Sequence, residues 1–461
     1  MPSSEMTAPP RSGRARLRLF TQRWLPAARW RRWVAGAVFV APLVYAGAQT
    51  WHRFADAFGT TPVRVRGAAV GAALPAVDSP AFRHTLSALT QTTMQPGHHV
   101  ELLVDGPATL ARIDRDLASA RSVIAVQNYY CEPGDVADWF KTRLIERARA
   151  GVAVYFLRDG FGCRSLTRGW LDSVRAAGVN VATLRPVRWW TMHESMHRSH
   201  VRIVMVDGRV GYVGGFGLAD KWVDRDGAPR WRETSVRFTG PAVAQLAGAF
   251  AVGWGHATGD LLSGDALFAN GQPVSGDRAA IAGVLFTQRA YGMPVPERFL
   301  ALALAGARKR VYIANSYFVP NHALRTWLVA AARRGVDGRV LAPSAAIDIP
   351  FTRAAGRSTF PELLRGGVRL YEYQPAMMHA KTMVIDDAFV AVGSLNLDNL
   401  SLRINDEAVL MVHDVALADT MVAQFTRDLT QSVEITPASL RASPLRERML
   451  TAVARLVRDL L

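Results

Sequence analysis

The sequence predicts an α/β protein with two similar lobes behind an N-terminal transmembrane helix, and three observations support this prediction. From about residue 100 onward, short apolar runs alternate with stretches of helical spacing, which is typical of parallel strands joined by helices. A histidine-led motif occurs twice, about 180 residues apart, in similar surroundings, which indicates an internal duplication. The third observation is an uncharged apolar run from Trp33 to Trp51.

The composition is that of an ordinary globular protein with an unusual charge. The chain has 461 residues, which suits two lobes with sizeable cores. Its formal net charge is +17, and arginine supplies most of the positive charge. A basic surplus attracts anionic partners such as nucleic acid, acidic lipid headgroups or phosphate esters. The charge alone does not choose among these partners.

The N-terminal region predicts a membrane anchor. Residues 1–32 carry eight arginines and one acidic residue, and they read as a basic cytoplasmic tail. Residues 33–51 have the length of a bilayer-spanning helix, with tryptophan at both ends as interfacial anchors. The positive-inside rule then places the rest of the chain on the outer face of the cytoplasmic membrane. A cleaved signal peptide is the alternative, because Ala46-Gly47-Ala48 resembles a cleavage site.

Four segments are expected after the anchor. Residues 52–99 are rich in Ala, Gly, Pro and Thr and are expected to form a loosely structured linker. Residues 100–275 and 276–438 are the two predicted lobes. Residues 439–461 are expected to form a basic amphipathic helix whose apolar stripe packs on its own domain, and an acidic membrane surface is the alternative partner. That stripe contains Leu445, Met449, Val453, Leu456, Val457 and Leu460.

The two cysteines, Cys131 and Cys163, each follow a predicted strand. If these strands are parallel neighbours, both sulfurs emerge at the same edge of the sheet, and a disulfide can form. A disulfide would fit an oxidising compartment. Two free thiols are the alternative, and the sequence does not decide between them.

The motif in the second half runs from His379 to Asp386 with the sequence HAKTMVID. Strand alternation places His379 and Lys381 on the same face. A histidine can act as a nucleophile or a proton donor, and a lysine can hold a phosphate oxygen. This combination predicts phosphodiester chemistry.

Polar residues downstream complete this predicted half-site. Six residues separate the motif from the sequence Gly-Ser-Leu-Asn, and Ser394 and Asn396 are expected to donate hydrogen bonds to the phosphate. Glu407 is expected to accept a hydrogen bond from His379 and to fix its tautomer.

The first half repeats the motif from His200 to Asp207 with the sequence HVRIVMVD. Arg202 stands where the other half has a lysine. Arginine keeps the charge but is longer and planar. The motif therefore predicts a second half-site whose phosphate contact differs.

The downstream residues of the first half differ as well. The sequence Gly-Gly-Phe-Gly follows, so that Gly215 is expected near the phosphate and Gly217 replaces an asparagine amide. Losing one such donor can cost on the order of 3 kcal/mol of transition-state stabilisation. Glu233 is the expected carboxylate partner of His200.

One motif beside the first half-site points elsewhere. Residues 193–197 match the zinc-protease pattern His-Glu-x-x-His, which requires a helix carrying both histidines on one face. Pro186 and the strand expected from Val201 leave little room for that helix, so these histidines are expected to line the approach to the site. Trp189 and Trp190 are expected either to meet lipid or to pack in the core.

At these motifs the chain resembles the phospholipase D superfamily, and within it the bacterial cardiolipin synthases. The resemblance covers roughly residues 100–440 and includes the stretches Ser316–Pro320 and Leu102–Gly106. It implies a duplicated fold with a pseudo-two-fold site in which both histidines face one phosphate. It also implies that His200 attacks phosphorus to form a phosphohistidine, while His379 protonates the leaving alcohol and then activates the incoming one.

The resemblance implies further properties of the site. Asp207 and Asp386 would be structural, and neither a metal nor another cofactor is expected. The predicted function is a phosphatidyltransferase that makes cardiolipin from two phosphatidylglycerols at the bacterial cytoplasmic membrane. The alternatives are a hydrolytic phospholipase D, a nuclease of the same superfamily and a half-degenerate, non-catalytic lipid-binding protein. The anchor argues against nucleic acid as the partner.

Overall fold

The computed structural model describes residues 63–69, 72–188, 197–224, 230–269, 279–288 and 293–458. Every described residue belongs to one compact unit, Ala57–Leu461. The predicted cytoplasmic tail and transmembrane anchor lie outside the described residues, as do Trp189, Trp190 and His193. Within the described ranges, no helix has the length and apolar character needed to cross a bilayer.

Fifteen strands of the described chain form a single mixed sheet. The first seven are β1 (Gln95–Val104), β2 (Val123–Asn128), β3 (Ala153–Asp159), β4 (Asn180–Leu184), β5 (Ile203–Val206), β6 (Val210–Gly214) and β7 (Thr234–Thr239). The others are β8 (Ala280–Thr287), β9 (Arg310–Asn315), β10 (Asp337–Pro343), β11 (Arg369–Tyr373), β12 (Lys381–Ile385), β13 (Phe389–Gly393), β14 (Glu407–His413) and β15 (Ser432–Ile435).

The two sets of seven strands have the same order of neighbours. The first set is ordered β1-β7-β6-β5-β2-β3-β4, and the second is ordered β8-β14-β13-β12-β9-β10-β11. The sets meet at the antiparallel pair β1–β8, and β15 extends the far edge. In each set the last three strands are parallel, as the alternation of strands and helices predicts. The predicted α/β class is therefore confirmed.

Helices cover both faces of this sheet. They are α1 (Pro80–Thr90), α2 (Asp105–Ser119), α3 (Asp135–Arg149), α4 (Arg168–Ala176), α5 (Ala242–Thr258), α6 (Val295–Gly306), α7 (His322–Arg333), α8 (Pro350–Arg357), α9 (Phe360–Arg365), α10 (Val415–Thr430), α11 (Pro437–Arg441) and α12 (Leu445–Val457). On one face, α5 and α10 share a core that contains residues of both halves. On the other face, α2–α4 cover the first half, and α1, α6 and α7 cover the second.

Alternate residues along the strands supply these two faces. In β2, Ala125 points into the shared core, whereas Ile124 and Val126 point to the opposite side. In β12, Val384 belongs to the shared core and Met383 to the other side. Because both faces are buried, these strands read as continuous apolar runs.

The expectation of a loosely structured linker is wrong for its C-terminal part. Pro80–Thr90 is a helix whose N-cap, Ser79, accepts a hydrogen bond from the backbone N–H of Phe82. Phe82 and Leu86 are buried, one helical turn apart. Strand β1 then begins at Gln95, earlier than predicted. The spacing of the apolar residues decides the structure here, whereas the Ala- and Thr-rich composition suggested a linker.

The predicted C-terminal helix is present as α12, but its apolar stripe does not pack on the domain. Leu445, Met449, Val453 and Leu456 are 70%, 63%, 56% and 83% exposed. The helix packs instead through Ala454, which is fully buried. The expected packing is therefore wrong for these four residues, because a different face of the helix meets the domain. Leu460 lies outside the described residues.

Candidate active site

The motif aspartates anchor the ends of the strands that follow the two histidines. Asp207 follows β5 with φ 52°, and its carboxylate accepts hydrogen bonds of 2.8–3.2 Å from the backbone N–H groups of residues 121–123. Asp386 follows β12 with φ 54° and accepts bonds of 2.7–3.1 Å from residues 308–310. Each aspartate thus ties the turn after its strand to the start of the neighbouring antiparallel strand, β2 or β9.

The opposite ends of β5 and β12 meet the other half of the chain. The backbone N–H of His200 donates to the carbonyl of Asp406 at 2.9 Å. In the equivalent contact, the backbone N–H of His379 donates to the carbonyl of Arg232 at 2.7 Å. These bonds place each histidine beside the residue that precedes the glutamate of the other half, Asp406 before Glu407 and Arg232 before Glu233.

The carboxylates are consequently exchanged between the halves. Nδ1 of His200 lies 3.0 Å from both carboxylate oxygens of Glu407. Nδ1 of His379 lies 2.5 Å from Oε2 of Glu233. The prediction that each glutamate pairs with the histidine of its own half is wrong. The backbone bridges at residues 199 and 406 and at residues 232 and 378 give the physical reason.

Each motif cation contacts the histidine two residues before it, as strand alternation predicts. Nη2 of Arg202 donates to Nε2 of His200 at 3.1 Å, and Nη1 donates to the carbonyl of Gly215. Nζ of Lys381 lies 3.0 Å from Nδ1 and 3.1 Å from Nε2 of His379. Because an arginine has no acceptor, Nε2 of His200 must accept, and the neutral ring carries its proton on Nδ1.

Burial dominates the electrostatics of this cluster. His200 and His379 are 5% and 2% exposed. Burial lowers the pKa of both histidines well below the usual value, and the charges of Arg202 and Lys381 lower it further. Burial also lowers the pKa of Lys381 to about 7 and raises that of Glu407 to about 8. Burial therefore disfavours the charged forms of these side chains, and an anion bound between Arg202 and Lys381 would favour the positive charge on both.

The polar residues of the second half divide their roles. The hydroxyl of Ser394 donates to Oε2 of Glu407 at 2.5 Å. A hydroxyl has a single proton, which here supports this carboxylate, and donation from Ser394 to a phosphate stays a prediction. Ser316 donates to the amide oxygen of Asn396 at 2.7 Å, which orients that amide. Donation from the amide NH2 group of Asn396 to a phosphate stays a prediction.

In the first half, an indole occupies the space that polar side chains fill in the second. A Cβ at Gly217 would approach the ring of Trp222 to 2.7 Å, and one at Gly215 would approach Oε2 of Glu233 to 2.4 Å. The indole N–H of Trp222 donates to Oε2 of Glu233 at 3.2 Å. The two glycines therefore make room for Trp222 and Glu233, and the indole supplies the donor that a serine supplies elsewhere.

Four aromatic residues that sequence analysis did not assign surround the histidines. The ring of Tyr129 meets His200 edge-on at 4.8 Å between ring centroids. Trp222, Trp231 and Tyr317 lie 5.3, 5.2 and 6.5 Å from His379. Tyr129 directly follows β2, which ends at Asn128, and Tyr317 lies two residues after β9, which ends at Asn315. The sequence signal that they share is a buried strand that ends in asparagine. Trp222 ends a 3₁₀ helix of three residues, Asp220–Trp222, and Trp231 lies shortly before β7, so no periodic pattern in the sequence marks either residue.

Cys131 and Cys163 form a disulfide, so the alternative of two free thiols is excluded. They follow the neighbouring parallel strands β2 and β3, as the sequence indicated. The bond fixes the loop that carries Tyr129 and Tyr130 beside the first histidine.

Of the zinc-protease pattern at residues 193–197, the structure describes only His197, and this histidine contacts a carboxylate. Nε2 of His197 lies 3.0 Å from Oδ1 of Asp406, which also pairs with Arg185. Among the residues with described side chains, no group of three or more His, Cys, Asp or Glu could hold a metal ion.

Sequence comparison finds relatives over most of the chain. The family model described as cardiolipin synthase, PLD-like domain, matches residues 300–429. The chain is 34% identical over 373 residues to cardiolipin synthase A of Pseudomonas putida (strain W619), covering 79% of this chain and 75% of that protein. It is 31% identical over 363 residues to the probable cardiolipin synthase YwiE of Bacillus subtilis (strain 168), covering 78% and 71%.

A solved structure has a similar fold. The crystal structure of phosphatidylserine synthase from Haemophilus influenzae Rd KW20 aligns with a TM-score of 0.63 over 82% of this chain and 98% of that chain. The sequence identity is 12%, so this similarity concerns the fold alone.

Proposed function

The chain belongs to the cardiolipin synthase family with its PLD-like domain, and from this we propose that it transfers a phosphatidyl group from one phosphatidylglycerol to another. The supporting observation is a pair of buried cations, Arg202 and Lys381, at two carboxylate-supported histidines. Neither cation forms a salt bridge within the described chain, and Nε of Arg202 has no hydrogen-bond partner there. A phosphodiester anion would supply the missing negative charge.

The proposed reaction has two balanced steps. Nε2 of His200 attacks phosphorus, the bond from phosphorus to the glycerol oxygen breaks, and His379 gives that oxygen a proton. The hydroxyl of a second phosphatidylglycerol then loses its proton to His379 and attacks the phosphohistidine. Cardiolipin forms, and His200 is released.

The arrangement of the halves supports an internal duplication. The two sets of seven strands share one order, and the contacts of Asp207 and Asp386 are equivalent. The exchanged glutamates make each histidine dependent on both halves. We propose two PLD-like lobes at 100–275 and 276–438, related by a pseudo-two-fold axis through this site.

Transfer is favoured over hydrolysis by the relatives, since proteins that are 31–34% identical over most of the chain are named cardiolipin synthases. The first half-site also keeps its contacts, because Arg202 donates a hydrogen bond to His200 and Trp222 donates one to Glu233. These contacts argue against a non-catalytic lipid-binding protein.

Membrane localisation is part of the proposal. The apolar segment 33–51 would hold the enzyme at its substrate, with residues 1–32 in the cytoplasm of a bacterium. The disulfide supports an oxidising compartment for the remaining chain, such as the outer face of the cytoplasmic membrane.

The test is lipid mass spectrometry after incubation with phosphatidylglycerol in detergent micelles, with and without added alcohol. Transfer predicts cardiolipin and free glycerol, whereas hydrolysis predicts phosphatidic acid. Absence of any product would contradict the proposed function.

Two substitutions assign the histidines. His379→Ala should abolish turnover, and His200→Ala should also prevent trapping of the labelled phosphatidyl group on the enzyme. Label retained by His200→Ala would make His379 the nucleophile, and unchanged turnover of His379→Ala would remove the site assignment.

A further inference from the structure

Helix α12 exposes a continuous apolar stripe, which we define as Leu445, Met449, Val453 and Leu456. These residues recur at spacings of four, four and three and therefore lie on one side of the helix. They are 56–83% exposed. Apolar side chains on one face of a helix are ordinarily covered by a partner.

The opposite side of the helix fixes its orientation on the domain. Ala454 is fully buried against Val319 and the α8 residues Ala354 and Ala355. Glu447 pairs with Arg353 of α8 at 3.5 Å. Since this side holds the helix to the fold, the stripe faces outward.

The charges around the stripe have one sign. Arg446, Arg448 and Arg455 are exposed beside it, and Arg441 is exposed just before the helix. Among residues 441–458 the only acidic side chain is Glu447, which lies on the packed side. An apolar face bordered by arginines complements an anionic lipid surface.

Helix α8 connects α12 to the candidate active site. The hydroxyl of Tyr317 donates to Asp348, two residues before α8, at 2.8 Å. The ring of Tyr317 meets His379 edge-on. The helix that bears the stripe is therefore packed on the element whose start adjoins the second half-site.

We propose that α12 lies in the headgroup region of an anionic bilayer, with the stripe inserted and the arginines on lipid phosphates. The choice of a lipid surface rests on the proposed function, because a lipid-modifying enzyme must meet its substrate at such a surface. The docking would set the distance and orientation of the site relative to the bilayer.

The test follows α12 itself within the full-length protein. A Leu456→Cys variant is labelled with an environment-sensitive fluorophore, and the disulfide between Cys131 and Cys163 leaves the introduced thiol as the labelling site. The matched control is Leu261→Cys, since Leu261 is 73% exposed outside α12. Both are reconstituted into vesicles of phosphatidylcholine, with or without phosphatidylglycerol.

Insertion predicts that the emission of the probe at 456 shifts to shorter wavelength in vesicles with phosphatidylglycerol. Lipids carrying a nitroxide near the headgroup should quench it there, and the probe at 261 should change in neither way. Absence of quenching at 456 would overturn the proposal. A shielded but unquenched probe also overturns it, and its response to dilution then shows whether a second copy or another segment of this chain covers the stripe.

The arginines are tested in the same vesicles. Replacing Arg446, Arg448 and Arg455 with glutamine should reduce the quenching of the probe at 456 to its level in phosphatidylcholine alone. Quenching that is unchanged by these substitutions would contradict a role of the positive charges.

A functional readout separates docking from catalysis. Met449→Gln with Leu456→Gln should lower turnover of phosphatidylglycerol in vesicles by about tenfold and leave turnover in detergent micelles nearly unchanged. Leu261→Gln should change neither rate. Equal loss in vesicles and micelles would contradict docking. Absence of product from the unmodified enzyme would refute the proposed function, while the quenching result would still decide the placement of α12.

Discussion

Each histidine depends on a carboxylate that is distant in sequence, by 207 residues for His200 and Glu407 and by 146 for His379 and Glu233. The carboxylates contact Nδ1 of both rings. Arg202 contacts Nε2 of His200, whereas Lys381 lies within 3.1 Å of both ring nitrogens of His379. The carboxylates fix the orientation of both rings.

The exchanged carboxylates predict crossed mutant phenotypes. Glu407→Gln should impair His200 and prevent trapping of the labelled intermediate, whereas Glu233→Gln should permit trapping and slow its turnover. Loss of a carboxylate that orients a histidine costs up to about 10⁴-fold in rate in other enzymes. Rapid-quench labelling with phosphatidylglycerol measures both effects.

Glu434→Gln provides the control, since Glu434 pairs with Arg369 at the surface and should leave trapping and turnover unchanged. Normal trapping in Glu407→Gln together with lost trapping in Glu233→Gln would instead assign the nucleophile to His379.

The buried carboxyl of Glu407 predicts a pH-dependent stability. Burial raises its pKa from 4.5 to about 8 in the folded protein. The folded state therefore holds a proton that the unfolded state releases, and this contribution to stability is lost as pH rises from about 4.5 to 8. The free energy of unfolding should fall relative to Glu407→Gln across that window, on the order of a few kcal/mol. Urea denaturation at several pH values measures it, and parallel profiles would contradict the assigned pKa.

The motif residues were predictable from sequence, whereas their partners were not. Strand alternation correctly placed Lys381 beside His379 and Arg202 beside His200. The pairing of Glu233 with His379 and of Glu407 with His200 depends on backbone bridges between segments that are far apart in the chain. Spacing along the sequence carries no information about such bridges.

At the scale of elements, the loop after β2 forms one wall of the site and is tied to the loop after β3. Tyr129 contacts His200 from the first loop, and the disulfide joins Cys131 in that loop to Cys163 in the second. A covalent link between two loops restricts the unfolded chain and holds the wall in the folded one.

Replacing both cysteines with serine should therefore lower stability. The sequence separation is 32, and closing a loop of that size contributes about 3–4 kcal/mol by the chain-entropy model. Equilibrium unfolding in urea, with and without reductant, measures the change. Reductant should destabilise the unmodified protein and have no effect on the double variant; equal stability of all four samples would contradict the disulfide.

At the scale of the whole molecule, a buried ion pair joins the two halves close to the site. Arg232, next to Glu233, contacts Asp428 of α10 through two bonds of 2.8 and 2.9 Å. Both side chains are nearly fully buried. The same arginine donates to the carbonyl of Glu233, so the pair also positions the carboxylate partner of His379.

Removing one member of this pair should be costly. Asp428→Ala leaves a buried guanidinium with less negative charge around it, and it should lower the free energy of unfolding by about 3–5 kcal/mol. Thermal and urea denaturation measure the loss. Glu434→Ala removes an exposed ion pair nearby and should cost at most about 1 kcal/mol. Similar losses in the two variants would show that Asp428 does not support the junction.

The sequence by itself determined the α/β class, the family and the positions of both motifs, because strand alternation and motif spacing are local properties of the chain. Only the tertiary structure decided that the glutamates serve the opposite histidines, that Trp222 replaces the missing polar groups beside Gly217, and that α12 turns its stripe outward. Each of these depends on which distant surfaces meet. Periodicity shows which face of a helix is apolar, but the packing of Ala454 determines which face the domain covers.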